Sequence, residues 1–178
     1  HLNKQDTVHY CMGDSVFLST AFNATYQYAW YRNGIKINGA TSTSYYAKND
    51  ADYFVEVKKG ACKLHSDTVN LRAVSPPTKN IYANGASTFC EGGNVTLKAV
   101  SEKNYTYQWL KNGIIINGAA DSNLNVRNNG KYQAIITNEF GCFDSSNTII
   151  VTVSTYHPPA NITYSGNTTF CQGNSISL

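Results

Sequence analysis

The sequence has little charge, and its charged residues are scattered. Asp, Glu, Lys and Arg make up 14% of the 178 residues, against about 25% in an average domain. The net charge is only +3, and the densest basic run is the pair Lys58 and Lys59. Proteins that bind nucleic acid or acidic membranes carry a basic patch or stripe. The charge distribution therefore gives no support to either function, and we expect no nucleic-acid partner.

Long apolar runs and helical periodicity are also missing. No run approaches the ~20 residues that cross a bilayer as a helix, so we expect no membrane insertion. No stretch keeps a helical period over three turns. Since Thr, Tyr and other β-branched or aromatic residues are plentiful, the composition favours strands.

The residue groups that carry out chemistry are absent as well. There is no Cys-x-x-Cys pair and no acidic calcium loop, so we expect no metal, although a calcium site built from distant carboxylates stays open. "EGGN" (Glu91 to Asn94) is typical of a turn between strands and not of a phosphate-binding loop. Of the four histidines, only His65 has Ser and Asp beside it, and neighbours along a strand point to opposite faces. We therefore predict no catalytic residues, no cofactor and no enzyme activity.

What the sequence does contain is repetition. "YQYAWYRNGIKINGA" (26–40) returns as "YTYQWLKNGIIINGA" (105–119), which places Trp30 and Trp109 79 residues apart (109 − 30). A third copy of the opening motif begins at Phe170 with "FCQGNSISL", and diproline segments precede the second and third copies at 75–77 and 157–159. Diproline keeps a linker extended and rather stiff. The period predicts one domain over 1–75, a second over 76–156, and a linker with the first strands of a truncated third repeat over 157–178.

Within each copy, apolar and polar residues alternate in short segments, which predicts strands with one buried face. The alternating positions are Val16 and Leu18; Tyr53, Val55 and Val57; Val95, Leu97 and Ala99; and Tyr132, Ala134 and Ile136. The pairs Asn33-Gly34 and Asn112-Gly113 each fall between two such segments and predict tight β-hairpin turns. About seven short strands per copy, separated by turns, predict an all-β fold of tandem β-sandwiches.

The order of motifs resembles an immunoglobulin-like domain. Each copy runs G-x-S/N-V-x-L, then Y-x-W-x-x-N-G, then N-x-A/G-x-Y, and ends in an apolar strand. The resemblance implies that Trp30 and Trp109 lie on the third strand and pack between the sheets. It also implies that Tyr53 and Tyr132 open the sixth strand and form a tyrosine corner. Asparagine, in place of the usual aspartate, stands four residues before each tyrosine.

The cysteines depart from the antibody pattern. The antibody-type cysteine positions hold Thr20, Val55, Ala99 and Ala134. Instead, Cys11 and Cys90 precede the second strand, and Cys62 and Cys142 follow the sixth. This arrangement is similar to the Ig-like repeats of very large Bacteroidetes surface proteins, many of which end in a gliding-motility-type sorting domain. The resemblance implies export across the outer membrane to the cell surface and further Ig-like repeats in the same chain.

The cysteine pairing has two candidate solutions. Each copy carries one matched pair of cysteines and no Cys-x-x-Cys spacing, so disulfides in an oxidising compartment are favoured over zinc. Because each copy carries one cysteine of each kind, pairs within a unit are favoured, namely Cys11–Cys62 and Cys90–Cys142. In an Ig domain, however, these positions lie at opposite ends of a strand of ~20 Å, whereas bridged Cα atoms lie within ~7 Å. Cys11–Cys142, between units, is the alternative, and Cys171 would pair beyond this sequence.

Tyrosines supply the candidate ligand site. Tyr31, Tyr45 and Tyr46 lie in the first copy, where exposed aromatic rings would stack on sugars or anchor a protein contact. The competing interpretation is that they are ordinary strand aromatics. Tyr28 shares the phase of Trp30 and is expected to point inward.

The function expected from these features is non-enzymatic. We expect an Ig-like repeat segment of a large secreted or cell-surface protein that acts as a stalk, spacer or adhesion module. Its partners would be a surface polysaccharide or another cell-surface protein. The alternative function is a carbohydrate-binding accessory region of a secreted polysaccharide-degrading enzyme.

Overall fold

The computed structural model describes residues 6–156, 158–164, 169 and 171–172, and its regular structure consists of strands. We call β1 to β8 the first unit and β9 to β17 the second unit. The first unit comprises β1 (Asp6–Cys11), β2 (Val16–Ser19), β3 (Gln27–Arg32), β4 (Ile35–Lys36), β5 (Ser44–Ala47), β6 (Ala51–Lys59), β7 (Cys62–His65) and β8 (Val69–Val74). The second comprises β9 (Ile81–Asn84), β10 (Thr88–Cys90), β11 (Val95–Ala99), β12 (Thr106–Lys111), β13 (Ile114–Ile115), β14 (Asn123–Val126), β15 (Gly130–Thr137), β16 (Phe143–Ser145) and β17 (Ile149–Ser154).

The larger sheets of the two units have the same strand topology. The larger sheet has the order β1-β8-β6-β3-β4 in the first unit and β10-β17-β15-β12-β13 in the second. The first strand of each order runs parallel to its neighbour, and the other pairs are antiparallel. The smaller sheets are β2-β5 and β14-β11-β9, and in the described part of the chain no strand of one unit pairs with a strand of the other. This is the immunoglobulin-like sandwich that the motif order predicted.

Each unit has its own core, filled by the residues that alternate in the sequence. Trp109 is fully buried and Trp30 is 4% exposed. Trp109 lies in one apolar cluster with Leu97 of the smaller sheet and Ala134 of the larger sheet, and every member of that cluster belongs to the second unit. The apolar clusters of the first unit contain only first-unit residues. Each unit therefore has one indole ring that is packed in its interior, between its two sheets.

Each buried indole N–H has a hydrogen-bond partner. Trp30 Nε1 donates to the carbonyl of Ser42 at 2.9 Å, and Trp109 Nε1 donates to the carbonyl of Asp121 at 2.8 Å. A buried donor without a partner would destabilise the fold. The copied sequence therefore reproduces the polar contact of the tryptophan as well as its packing.

Both Asn-Gly pairs form the predicted hairpin turns. Asn33 and Asn112 have φ angles of 50° and 51°, and the glycines that follow have φ angles of 76° and 81°. Two positive φ values in succession are typical of the type I′ turn, which matches the twist of the flanking strands. Each asparagine side chain also accepts a hydrogen bond at 2.9 Å from a backbone N–H on the neighbouring strand, that of Asp52 or Lys131.

The last strand of each unit is broken at a serine, a feature that the sequence analysis missed. Between β7 and β8, Ser66 donates its N–H to the carbonyl of Val55 at 3.0 Å, and its hydroxyl accepts from the N–H of Val55 at 3.1 Å. Ser146 makes the same pair of bonds with Ala134, at 2.8 and 2.9 Å. One serine thus satisfies both backbone groups of the opposing residue where the ladder is interrupted.

The structure describes only part of the predicted third repeat. His157 and most of the motif at 170–178 lie outside the described residues, and Cys171 is described as an exposed free thiol. No helix among the described residues has the length and apolar character needed to cross a membrane.

Candidate functional site: the junction between the units

A disulfide joins the two units. It connects Cys11, the last residue of β1, to Cys142, which lies in the loop between β15 and β16. The two Cα atoms are 5.4 Å apart, although the residues are 131 positions apart in sequence. Cys142 is almost fully buried, whereas Cys62 and Cys90 are exposed free thiols.

The expectation of pairs within each unit was therefore wrong, and strand register gives the reason. β1 runs parallel to β8, so Cys11 lies beside Val74, where the chain leaves the first unit. Cys62 pairs with Lys59 at the opposite end of β6. Along β6, Lys59 lies roughly 26 Å from Ala51, the end of the strand that pairs with β8. A disulfide needs two Cα atoms that lie within ~7 Å of each other. Cys62 is therefore out of reach of Cys11, whereas Cys142 of the second unit is within reach.

Two noncovalent contacts accompany the disulfide. The His9 ring stacks on Phe140 with centroids 4.5 Å apart and an interplanar angle of 30°. Asn138 donates from Nδ2 to the carbonyl of Ser75 at 3.2 Å, at the start of the diproline linker. Its Oδ1 accepts from the N–H groups of Phe140 and Cys142, both at 3.0 Å. Asn138, which is buried, therefore shapes the loop that carries the cysteine and holds the linker to it.

The far side of the linker is tied to the second unit. Asn147 accepts from the N–H of Ile81 at 2.8 Å and donates to the carbonyl of the same residue at 3.0 Å. Lys79 forms an ion pair with Asp144 at 3.2 Å. The N–H of Ser145, and then Lys79, hold the pKa of the Asp144 carboxyl below its usual value. The linker is thus restrained by side chains at both ends as well as by its prolines.

The three candidate tyrosines do not form one patch. Tyr31 lies on the outer face of the larger sheet and stacks on Phe54, with centroids 4.8 Å apart and an angle of 7°. Tyr45 points into the first unit, where its ring lies 6.1 Å from that of Trp30. Tyr46 is 61% exposed on the smaller sheet. Tyr45 and Tyr46 are adjacent on one strand and therefore point to opposite faces. Tyr31 and Tyr46 both point outward, but they lie on different sheets.

A surface depression lies on the larger sheet of the first unit, on the outer face that also carries Tyr31 and Phe54, although neither ring is part of its lining. Its volume is about 500 Å³, and its lining includes Gln27, Ala29, Lys36, Glu56, Lys58 and Lys63. Glu56 Oε2 lies 3.3 Å from Lys63 Nζ and 3.2 Å from His65 Nε2. The hydrogen bond with His65, and then Lys63, hold the pKa of the Glu56 carboxyl below its usual value. Lys36 and Lys58 form no ion pair within the described ranges, so the depression has an excess of positive charge.

The His65–Ser66–Asp67 segment has no triad geometry. The Ser66 hydroxyl accepts from the Val55 N–H and donates to the carbonyl of Asp67 at 2.8 Å, so it is committed to the backbone. His65 faces Glu56 on the outer surface. No cluster of three or more His, Cys, Asp or Glu residues that could hold a metal ion occurs among the residues that the structure describes.

Comparison with known proteins gives similarity in fold alone. No family model and no curated protein matches the chain. Murine CEACAM1b is 18% identical over 82% of this chain and 96% of its own, with a TM-score of 0.46. The N-terminal four Ig domains of Dscam1 isoform 7.44 are 12% identical over 86% of this chain (TM-score 0.40), and immunoglobulin domains 1–5 of Sidekick-1 are 15% identical over 86% (TM-score 0.35). The chain spans less than half of the Dscam1 and Sidekick-1 structures, 44% and 38%.

Proposed function

We propose that this chain is a non-enzymatic Ig-like segment of a large secreted or cell-surface protein, in which it acts as a stiff spacer. The observation that carries the proposal is the Cys11–Cys142 disulfide, which locks two separately cored units across their linker. The His9–Phe140 stack and the Asn138–Ser75 hydrogen bond restrain the same joint. A joint fixed in several ways keeps its two modules at a constant angle and so holds whatever it carries at a set distance.

The cellular context is part of the same proposal. Disulfides persist in oxidising compartments outside the cytosol. The spacing of the cysteines resembles the repeats of Bacteroidetes surface proteins, so we infer export across the outer membrane and domains over 1–75 and 76–156 within a longer tandem array. In that setting the segment would project an adhesive domain, or itself contact a surface polysaccharide or another surface protein.

Small-angle X-ray scattering tests the stiffness of the joint. We expect the oxidised chain to show one narrow distribution of interatomic distances, and the double variant Cys11→Ser/Cys142→Ser to show a broader one with a larger maximum dimension. The double variant Cys62→Ser/Cys90→Ser, which replaces the same number of cysteines but leaves the bridge intact, is the matched control and keeps the narrow distribution. An oxidised chain that scatters as broadly as the bridge variant contradicts the spacer proposal.

A second candidate function, carbohydrate binding, is favoured by the depression on the first unit. The stacked Tyr31–Phe54 pair, next to Lys36 on the same outer face, supplies an aromatic surface of the kind that packs against sugar rings. Lys36 and Lys58, which line the depression, would pair with carboxylates. We therefore propose acidic polysaccharides as the ligand class. The second unit has Leu110 and Gln133 at the positions that match the aromatic pair, so binding would belong to the first unit alone.

Electrophoresis through gels that contain a polyuronate tests this second candidate. Retardation of the wild-type chain, and its loss in Tyr31→Ala and Lys36→Ala, would support binding at the depression. Tyr46→Ala, which removes an exposed tyrosine from the other sheet, should be retarded like the wild type. If the wild-type chain migrates freely through polyuronate and neutral glycan gels alike, the second candidate is rejected and the spacer proposal is unaffected.

A further inference from the structure

We propose that the exposed thiols Cys62 and Cys90 are half-sites for the same disulfide that joins Cys11 to Cys142. Cys62 would bond to the cysteine at the end of the first strand of a preceding Ig-like unit. Cys90 would bond to the hairpin cysteine of a following unit. The inference rests on the proposed function, since it requires the chain to lie in a tandem array, and it assigns the partner that each thiol takes there.

Cys90 occupies the position of Cys11. Each is the last residue of a strand that runs parallel to the final strand of its unit, with Cys11 beside Val74 and Cys90 beside Ser154. In both units the residue after the cysteine donates its N–H to that neighbour's carbonyl, at 2.9 Å in each case. The Cys90 thiol therefore has the same position in the second unit as the disulfide-bonded sulfur of Cys11 has in the first.

Cys62 occupies the position of Cys142. Each follows the long strand of its unit: Cys62 is the first residue of β7, and Cys142 directly precedes β16. Each also lies four residues before the serine that fills the break in the last strand, Ser66 or Ser146. Cys62 lies opposite Lys59 in the hairpin. Gly60 stands two residues before Cys62, whereas Phe140 stands two residues before Cys142, so the His9–Phe140 stack has no counterpart at Cys62. The cysteine is the residue that the two segments have in common.

The two thiols lie at opposite ends of the two-unit chain. Cys62 is at the end of the first unit farthest from the junction, because Cys11 marks the junction end. Likewise Cys90 is separated from the junction by the length of β15, from Gly130 to Thr137, which is roughly 23 Å. They cannot bond to each other within one chain, so each is accessible only to another molecule or unit. Cys171, an exposed thiol in a third copy of the Cys90 motif, repeats the pattern.

The bond is an ordinary two-electron oxidation. The Cys62 thiol of one unit and the Cys90 thiol of another each lose a proton, and together they give two electrons to a disulfide oxidant. With oxidised glutathione as the oxidant, one S–S bond forms between the units and two molecules of reduced glutathione leave.

Directional cross-linking of the chain tests the proposal. The probe is the 178-residue chain with Cys171→Ser, oxidised at high protein concentration in a buffer of oxidised and reduced glutathione, then separated without reduction and mapped by mass spectrometry. We expect a ladder of oligomers in which Cys62–Cys90 peptides exceed Cys62–Cys62 and Cys90–Cys90 peptides beyond the proportion given by random collision. Adding Cys62→Ser or Cys90→Ser should each abolish the ladder and reduce the dimer to the small yield of like pairs.

The opposite results overturn the inference. Three outcomes would show that the two ends do not recognise one another. Cys62–Cys62 and Cys90–Cys90 peptides could be as frequent as random collision predicts, or the single-thiol variants could dimerise as well as their parent. The thiols could also end as glutathione adducts. The same peptide map reports on Cys11–Cys142. If that bond is intact and the scattering stays narrow, only the half-site inference fails, whereas its absence removes the locked joint on which the spacer proposal depends.

Discussion

At the scale of single residues, Tyr53 and Tyr132 show how the fold tolerates a change from the usual immunoglobulin motif. Their hydroxyls donate to the backbone carbonyls of Asn49 and Asn128, at 3.2 and 3.0 Å. Because the acceptor is a carbonyl of the backbone, asparagine serves as well as aspartate at that position. Burial raises the pKa of both tyrosines above the ordinary value.

Removing one hydroxyl tests the contribution of this hydrogen bond. We expect Tyr53→Phe and Tyr132→Phe each to lower the free energy of unfolding by about 1 kcal/mol, because each leaves a carbonyl without its partner. Urea denaturation measures the change. Tyr46→Phe, which removes a hydroxyl from an exposed ring, should leave the midpoint unchanged, and an equal loss in all three variants would contradict the assignment.

The raised tyrosine pKa values predict a loss of stability in alkaline solution. The neutral phenol is favoured in the fold, so this contribution to stability is complete below the unfolded-state pKa of about 10 and is lost as pH rises through the higher folded-state pKa. Urea midpoints of the wild type should therefore fall above pH 10. The double variant Tyr53→Phe/Tyr132→Phe should show a shallower fall, and parallel curves would contradict the prediction.

At the scale of elements, hairpins and broken strands differ in how far the sequence predicts them. The Asn-Gly turns were predicted because positive φ is a local requirement that few residues meet. The serine breaks were not, because Ser66 and Ser146 matter only through the strand that lies opposite. A signal was present, since each serine stands four residues after a cysteine in both copies, but its meaning depends on register.

The two serines form a matched pair for mutagenesis. Ser146→Ala leaves the buried N–H of Ala134 without an acceptor, which should cost about 1–3 kcal/mol of unfolding free energy. Ser66→Ala makes the same change where the bond is only partly buried, so water can replace the hydroxyl and the loss should be smaller. Chemical denaturation of both variants measures the difference, and the reverse order would contradict this account.

At the scale of the whole molecule, the disulfide changes how force travels through the chain. When the two ends of the chain are pulled apart, the force passes from Cys11 to Cys142 through the disulfide. The segment between these cysteines, which are 131 positions apart, therefore carries no load. Most of both cores lies inside that closed segment, whereas Tyr10 on β1 and Val151 on β17 lie outside it. The bridge therefore shields the strands from β2 to β15 from tension that is applied along the chain, and β1, β16 and β17 still carry the load.

Single-molecule force spectroscopy can detect the shielded length. Under reducing conditions the fully extended chain should be longer by about 450 Å than under oxidising conditions, since 131 residues extend by ~3.3–3.6 Å each. Cys11→Ser should show the long extension in both buffers, while Cys62→Ser should behave as the wild type. Equal extensions of the wild type in the two buffers would show that the bridge does not close this loop.

The features that depend on near neighbours could be predicted from the sequence. Alternation predicted which residues of β6 and β15 face inward, Asn-Gly predicted the hairpins, and repetition predicted the topology that the two larger sheets share. The partner of Cys11 and the separation of Tyr31, Tyr45 and Tyr46 became clear only from the three-dimensional structure. A disulfide depends on which strand ends meet in space, and a surface patch depends on which sheet each strand joins. Both are set by strand register and by the packing of one unit against the next, which local spacing does not encode.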